Sequence, residues 1–120
     1  MKIAITSTEP TINASMDPRF GRAPYILLVD SETFDFEVID NTASRETLKG
    51  AGIQVGALIS DAGAKVLITG FCGPNAMKTL NAANIKVALH TSNCVKEAVE
   101  AFNEGAIKFS TEPNTKGHSM

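Results

Sequence analysis

YILLVDSETFDFEVIDN, residues 25–41, holds two β-rich runs, YILLVD and FEVIDN, joined by the polar link DSETFD. Branched and aromatic residues fill both runs, which is the composition of strands. The link is too short for a crossover, so the two strands form an antiparallel hairpin. Outward from the hairpin the pattern changes. Upstream lies one more β-rich run, KIAIT (2–6), and downstream lie KVLITG (65–70) and KVALH (86–90). Between and after these, apolar residues recur at helical spacing over 50–63, 74–84 and 93–105. Ile53, Leu58 and Ile59 are expected on one face of the first helix, and Val95, Val99 and Phe102 on one face of the third. Gly63, Asn84 and Gly105 stand where helices stop, and Ser92 or Asn93 can cap the third helix. From the third strand onward the order is βαβαβα, so the later strands run parallel. The expected fold is a single α/β domain, a five-stranded mixed sheet flanked by helices, spanning 1–109. A flexible tail is expected over 110–120.

Bulk properties narrow the function. The chain has 120 residues, 43% hydrophobic and 20% charged, which suits one globular domain. Its net charge of -2 gives no general attraction to nucleic acid or to an anionic membrane. The N-terminus MKIAITSTEP lacks a secretory signal and no run is long enough to span a membrane, so a cytoplasmic location is expected. Two cysteines are too few for a disulfide scaffold.

If the first strand runs parallel to the fourth and fifth, all three helices begin at one edge of the sheet, where the loop 7–24 and the CGP and HTSN turns also lie. Helix N-termini carry unsatisfied N–H groups and partial positive charge, so this edge is a natural anion site. Its candidate residues are Arg19, Phe20, Gly21 and Arg22 in the long loop, then Arg45, Lys49, Gly50 and Gly52 before the first helix. Cys72, Gly73, Pro74 and Asn75 follow the fourth strand, and His90 follows the fifth. Thiolate and imidazole make Cys72 and His90 candidate soft-metal ligands, with Met16 and Met77 as thioethers. The helix dipole is expected to lower the Cys72 pKa. Each residue also has a plainer use. The arginines can brace a loop, the glycines can admit a helix, the methionines can pack, and Cys94 can be a small buried hydrophobe. Glu97, Glu100 and Glu104 read as a solvated face, and His118 as inert. GxGxxxG at 50–56 is not a dinucleotide signature, and no phosphate-binding GxxxxGK[ST] occurs.

TGFCGPNA (69–76) resembles a Cys-x-x-Cys redox site with Asn75 in place of the second cysteine, which removes the resolving thiol. KIAIT, FGRAPY (20–25), GAGI (50–53) and GPNA (73–76) together resemble the dinitrogenase iron–molybdenum cofactor-binding family, which includes NifX, NafY and the C-terminal part of NifB. The resemblance covers residues 1 to about 109. It implies a ribonuclease H-like sheet and a protein without catalytic turnover that carries or delivers a metal–sulfur cluster. Within the family the chain looks most like small stand-alone members holding a molybdenum–copper sulfide cluster non-covalently. An iron–molybdenum cofactor or its precursor is the alternative cargo, and partner proteins in a transfer or assembly complex are implied. Family sequences often carry His just before FGR; Arg19 stands there, which favours an electrostatic hold. Two other readings stay open: a monothiol redox protein using Cys72, and a metal-free partner-binding module.

Overall fold

The structure is a computed structural model that describes residues 1–42 and 51–114. Arg45, Lys49, Gly50 and His118 lie outside the described residues. Among those described, the order is β1 (Lys2–Ser7), β2 (Tyr25–Asp30), β3 (Phe36–Asp40), α1 (Ala51–Asp61), β4 (Val66–Thr69), α2 (Pro74–Ala82), β5 (Lys86–Leu89) and α3 (Val95–Asn103). The sheet runs β3-β2-β1-β4-β5. β2 is antiparallel to both β1 and β3, while β1, β4 and β5 are parallel. This is the expected mixed sheet, with the hairpin on one side and the parallel strands on the other. The C-terminal ends of β1, β4 and β5 therefore share an edge with the starts of α2 and α3.

Strand side chains alternate between faces, and the core divides accordingly. Ala4, Ile26, Leu28, Leu67 and Val87 face α1 and α2, where they meet Val55, Ile59, Met77 and Leu80. Ile3, Ile5, Leu27, Val29, Ile68 and Ala88 face α3, where they meet Val95, Ala98 and Val99. Strands β1, β2 and β4 are buried on both faces, which explains their continuous apolar runs. β3 is an edge strand and largely exposed.

The third helix buries the expected stripe, with Phe102 packed at its margin. The first does not. Ile53 and Leu58 are exposed, at 44% and 43%, and the buried positions are Val55 and Ile59. The contact with α2 is made by Gly52 and Gly56 instead, where a Cβ would lie 2.8 Å from Ala76 Cβ and 3.2 Å from Thr79 Cγ2, respectively. Close helix approach through small residues leaves no hydrophobic period to read. Two substitutions separate the positions by thermal unfolding. Gly56→Ala is expected within about 0.5 kcal/mol of the parent, because helix propensity gains roughly 1 kcal/mol and Thr79 can yield. At Gly52 the opposing atom is another Cβ, so Gly52→Ala is expected to destabilise by about 1 kcal/mol net.

Gly63, Asn84 and Gly105 have positive φ of 89°, 60° and 73°, the left-handed conformation that ends helices. The α3 cap is corrected: Cys94, rather than Ser92 or Asn93, holds the N-cap position, without a side-chain capping bond. The chain beyond 109 also differs from a loose tail as far as Asn114. Ser110 bridges Val87 at the free edge of β5, its N–H donating to Val87 O at 2.7 Å, and Asn81 Nδ2 donates to Thr111 O. Among the described residues no helix is long and apolar enough to cross a membrane.

Candidate functional site

The site stands on two buried hydroxyls at the ends of β1 and β4. Thr6 Oγ1 donates to Asp17 O and lies 3.0 Å from Thr69 Oγ1, while Asp17 N–H donates back to Thr6 O. These bonds press the long loop onto the sheet edge. Arg19 then pairs with Phe71 as a short parallel extension: Phe71 N–H donates to Pro18 O, and Phe20 N–H to Phe71 O at 3.1 Å. Gly70 makes this approach possible, since a Cβ there would meet Pro18 Cβ at 2.8 Å and Thr91 Cγ2 at 2.9 Å.

Asp17 is buried, and its carboxylate accepts three hydrogen bonds from Arg19. The backbone N–H and Nε reach Oδ1 at 3.0 and 3.1 Å, and Nη2 reaches Oδ2 at 3.0 Å. The pairing raises the Arg19 pKa, chiefly through the side-chain hydrogen bond to Asp17 and then its charge. Arg19 remains 42% exposed, so its fork is fixed by Asp17 while still reaching solvent. It is also half-neutralised, so Arg19 fills the loop-bracing role open to it as well as carrying exposed charge. Arg22 is half-buried and engaged in an interaction of its own. Phe20 is 8% exposed and packs in the core under α1 and α2, so it anchors the loop instead of lining a surface. Gly21 turns the chain with φ of 94°.

Across the ladder, Gly73 is the N-cap of α2, Pro74 follows it, and no side chain caps the helix. The amides of Asn75 and Ala76 make no hydrogen bond among the described residues, and Asn75 is exposed. An uncapped first turn with Pro at its start is open to an anion. Asn114 braces the preceding turn: its Oδ1 accepts from Cys72 N–H at 2.9 Å, its Nδ2 donates to Gly70 O at 2.8 Å, and its N–H donates to Cys72 O at 3.1 Å.

Cys72 itself is 1% exposed within the α1/α2 core. Burial pushes its thiol up to about 12, so desolvation outweighs the helix dipole, against the expected depression. The turns after β4 and β5 are adjacent as expected, with His90 N–H donating to Thr69 O at 2.8 Å. The two candidate ligands nevertheless diverge. His90 Nε2 lies 2.9 Å from Ser92 Oγ, and Ser92 N–H donates to Sδ of Met16, a member of the α3-side core. Cys72 belongs to the opposite face. Met16 and Met77 are both core residues. Among the described residues no three or more His, Cys, Asp or Glu side chains gather as a metal-holding group.

The α3 N-terminus is not open as expected. Val95 N–H donates to Ala14 O at 3.0 Å and Lys96 N–H to Ile12 O at 2.9 Å, so the long loop itself caps it. Cys94 is half-exposed, with Sγ 3.7 Å from Glu97 Oε2, rather than buried. Gly52 serves the α1/α2 contact described above. The structure joins the two segments by backbone at Phe71, with Arg19, Gly21 and Arg22 in the long loop and Gly73, Pro74 and Asn75 in the turn that follows Phe71. Sequence reasoning missed Asp17, although an Asp two residues before an Arg signals a local brace. It also missed Thr6, Thr69, Asn41 and Asn114, whose partners are distant in sequence.

Comparisons with known proteins agree with this architecture. The family described as dinitrogenase iron–molybdenum cofactor matches residues 1–105. The chain is 39% identical to the apo form of the orange protein from Desulfovibrio gigas, covering 95% of this chain and 96% of that one with a TM-score of 0.90. A putative NifB protein from Thermotoga is 33% identical over 97% of this chain and 98% of its own, with a TM-score of 0.82. A putative dinitrogenase from Methanocaldococcus jannaschii, 18% identical with a TM-score of 0.68 over 94% and 97% of the two chains, shares the fold. No curated protein matches the chain. The orange protein is the kind of small stand-alone relative that the FGRAPY and GPNA segments suggested. The chain belongs to the dinitrogenase iron–molybdenum cofactor family.

Proposed function

We propose that this protein binds a molybdenum-containing metal–sulfur cluster, a molybdenum–copper sulfide anion in the first instance, and stores or transfers it without turning anything over. The observation that carries this reading is the uncapped first turn of α2, which follows closely on Phe71, the residue whose backbone pairs with the loop where Asp17 fixes the Arg19 fork. A thiometallate anion is large, charged and rich in weak acceptors, so it suits amide and guanidinium donors. The donor set fits such cargo better than a ligated ion, because Cys72 is buried and protonated and turns to the face opposite His90. Arg19, Gly21 and Arg22 would hold one side of the anion, and Gly73, Pro74 and Asn75 the other. Cys72 would lie beneath as a packing residue, and His90 outside the cradle.

The family description favours one variant, an iron–molybdenum cofactor or precursor as cargo, with this protein as carrier or assembly scaffold for partner proteins. Apo-protein mixed anaerobically with tetrathiomolybdate and Cu(I) is expected to retain molybdenum, copper and sulfide through gel filtration, with visible charge-transfer bands. Retention of an isolated iron–molybdenum cofactor instead would select the variant. A folded protein that retains neither would sink both. The double variant Arg19→Ala/Arg22→Ala is expected to weaken retention at least tenfold while the apo fold persists; unchanged retention would remove both arginines from the site.

A further inference from the structure

Asn41 follows β3, is 1% exposed, and carries the buried side-chain oxygen Oδ1, which finds no hydrogen-bond partner among the described residues. Its amide nitrogen, by contrast, is used twice, donating to Gly21 O at 3.2 Å and to Ala23 O at 2.9 Å. Its backbone N–H donates to Pro24 O at 2.8 Å. Arg19 O already accepts from Arg22 and Ala23. The carbonyls of residues 19, 21, 23 and 24 are therefore all engaged inside the protein. For a site that takes an anion this matters, since a carbonyl dipole pointed outward would repel the ligand that the guanidinium groups attract.

Packing alone does not explain Asn41. Leucine has nearly the same shape and would leave no buried oxygen unpaired, whereas the asparagine tolerates an orphan acceptor in order to place two donors. Serine or threonine offers one donor, and ionised aspartate would set two acceptors against two carbonyls. Only the short neutral amide satisfies both oxygens from this position.

We propose that Asn41 is a positioning residue for the anion site: it holds the carbonyls of Gly21 and Ala23 away from the bound thiometallate, so that the guanidinium groups of Arg19 and Arg22 meet it without those two dipoles opposing them. The inference rests on the cluster-binding reading above. Its test measures tetrathiomolybdate affinity, with and without Cu(I), for the full chain and for Asn41→Leu and Asn41→Asp, alongside their thermal midpoints. A core variant on the far face, Val99→Ala, serves as a control for lost stability. Asn41→Leu is expected to stay folded and to bind at least tenfold more weakly, with Asn41→Asp weaker still, while Val99→Ala keeps the parent affinity despite a lowered midpoint. Should the Asn41→Leu and Asn41→Asp variants that fold bind as the parent does, or lose no more affinity than Val99→Ala at a comparable midpoint, the positioning role is overturned and Asn41 merely supports the fold. If the parent protein binds no tetrathiomolybdate at all, the cluster-binding reading falls first, and this inference with it.

Discussion

Native Cys72 is expected to react with iodoacetamide at pH 8 about a thousandfold more slowly than the same cysteine in the unfolded chain. The thiolate is the nucleophile, and moving the thiol from 9.0 to about 12 reduces its thiolate fraction by about three powers of ten. Burial at 1% exposure adds to the protection. Site-resolved mass spectrometry gives the two rates, and Cys94, half-exposed at the start of α3, reports that the reagent is active. Equal rates in native and unfolded chains would restore the monothiol redox reading, which needs an accessible thiolate. A stability consequence has a definite sign. Between about pH 9 and 12 the unfolded chain releases the Cys72 proton while the native one keeps it, so stability falls as pH rises. Below pH 9 the contribution is fully present. Up to roughly 4 kcal/mol is lost over the window, at 1.36 kcal/mol per unit. Cys72→Ala should flatten this part of the parent's alkaline decline in denaturant titrations at several pH values; an unchanged decline would mean that the thiol is not held protonated.

Gly70→Ala is expected to be the most damaging small substitution at the site. Its Cβ would lie 2.8 Å from Pro18 Cβ, 2.9 Å from Thr91 Cγ2 and 3.0 Å from Pro18 Cα. The last of these is backbone in a residue whose φ is fixed by its ring, so the loop must lift away as a unit. Lifting breaks the bonds from Phe71 N–H to Pro18 O and from Phe20 N–H to Phe71 O, and uncouples Arg19 from the α2 start. A cost of about 3 kcal/mol follows from overpacking of this kind, or about 10 °C in the thermal midpoint for a chain of this size. Cluster retention should fall with it. Gly63→Ala is the contrasting case, because no atom lies within 4 Å and only the positive φ of 89° opposes a side chain. Its cost is expected near 1 kcal/mol, with retention unchanged. A midpoint for Gly70→Ala no lower than for Gly63→Ala would show that the loop does not rest on Gly70.

How far the candidate site could be read depended on the range of each interaction. The segment FGRAPY and the turn CGPN could be placed on one edge only by supposing that the first strand runs parallel to the fourth and fifth, because connection length sets the direction of the hairpin and of the crossovers but not of the first strand; the structure supplies that pairing. Arg19 was visible as a cation but not as half of an ion pair, although its partner Asp17 is two residues away. The Cys72 thiol was misread because the helix dipole is evident in sequence and burial is not. At 1% exposure desolvation prevails. The divergence of Cys72 and His90 follows from the alternation of side chains across the sheet, which depends on where each strand ends. Gly52 looked like a ligand approach and proved to be a helix approach, since a missing side chain does not say what fills its place.

The sequence by itself determined the strand and helix order, the hairpin, the parallel crossovers, the helix stops at Gly63, Asn84 and Gly105, and family membership. All of these rest on short-range patterning or on segments read as wholes. Tertiary structure alone decided which helix ends stay open. It closed the α3 start with carbonyls of Ile12 and Ala14, left α2 uncapped, braced the CGP turn with Asn114, and drew the loop carbonyls onto Asn41. The physical reason is that a backbone N–H or C=O is identical at every position, so its partner is assigned only when distant segments meet.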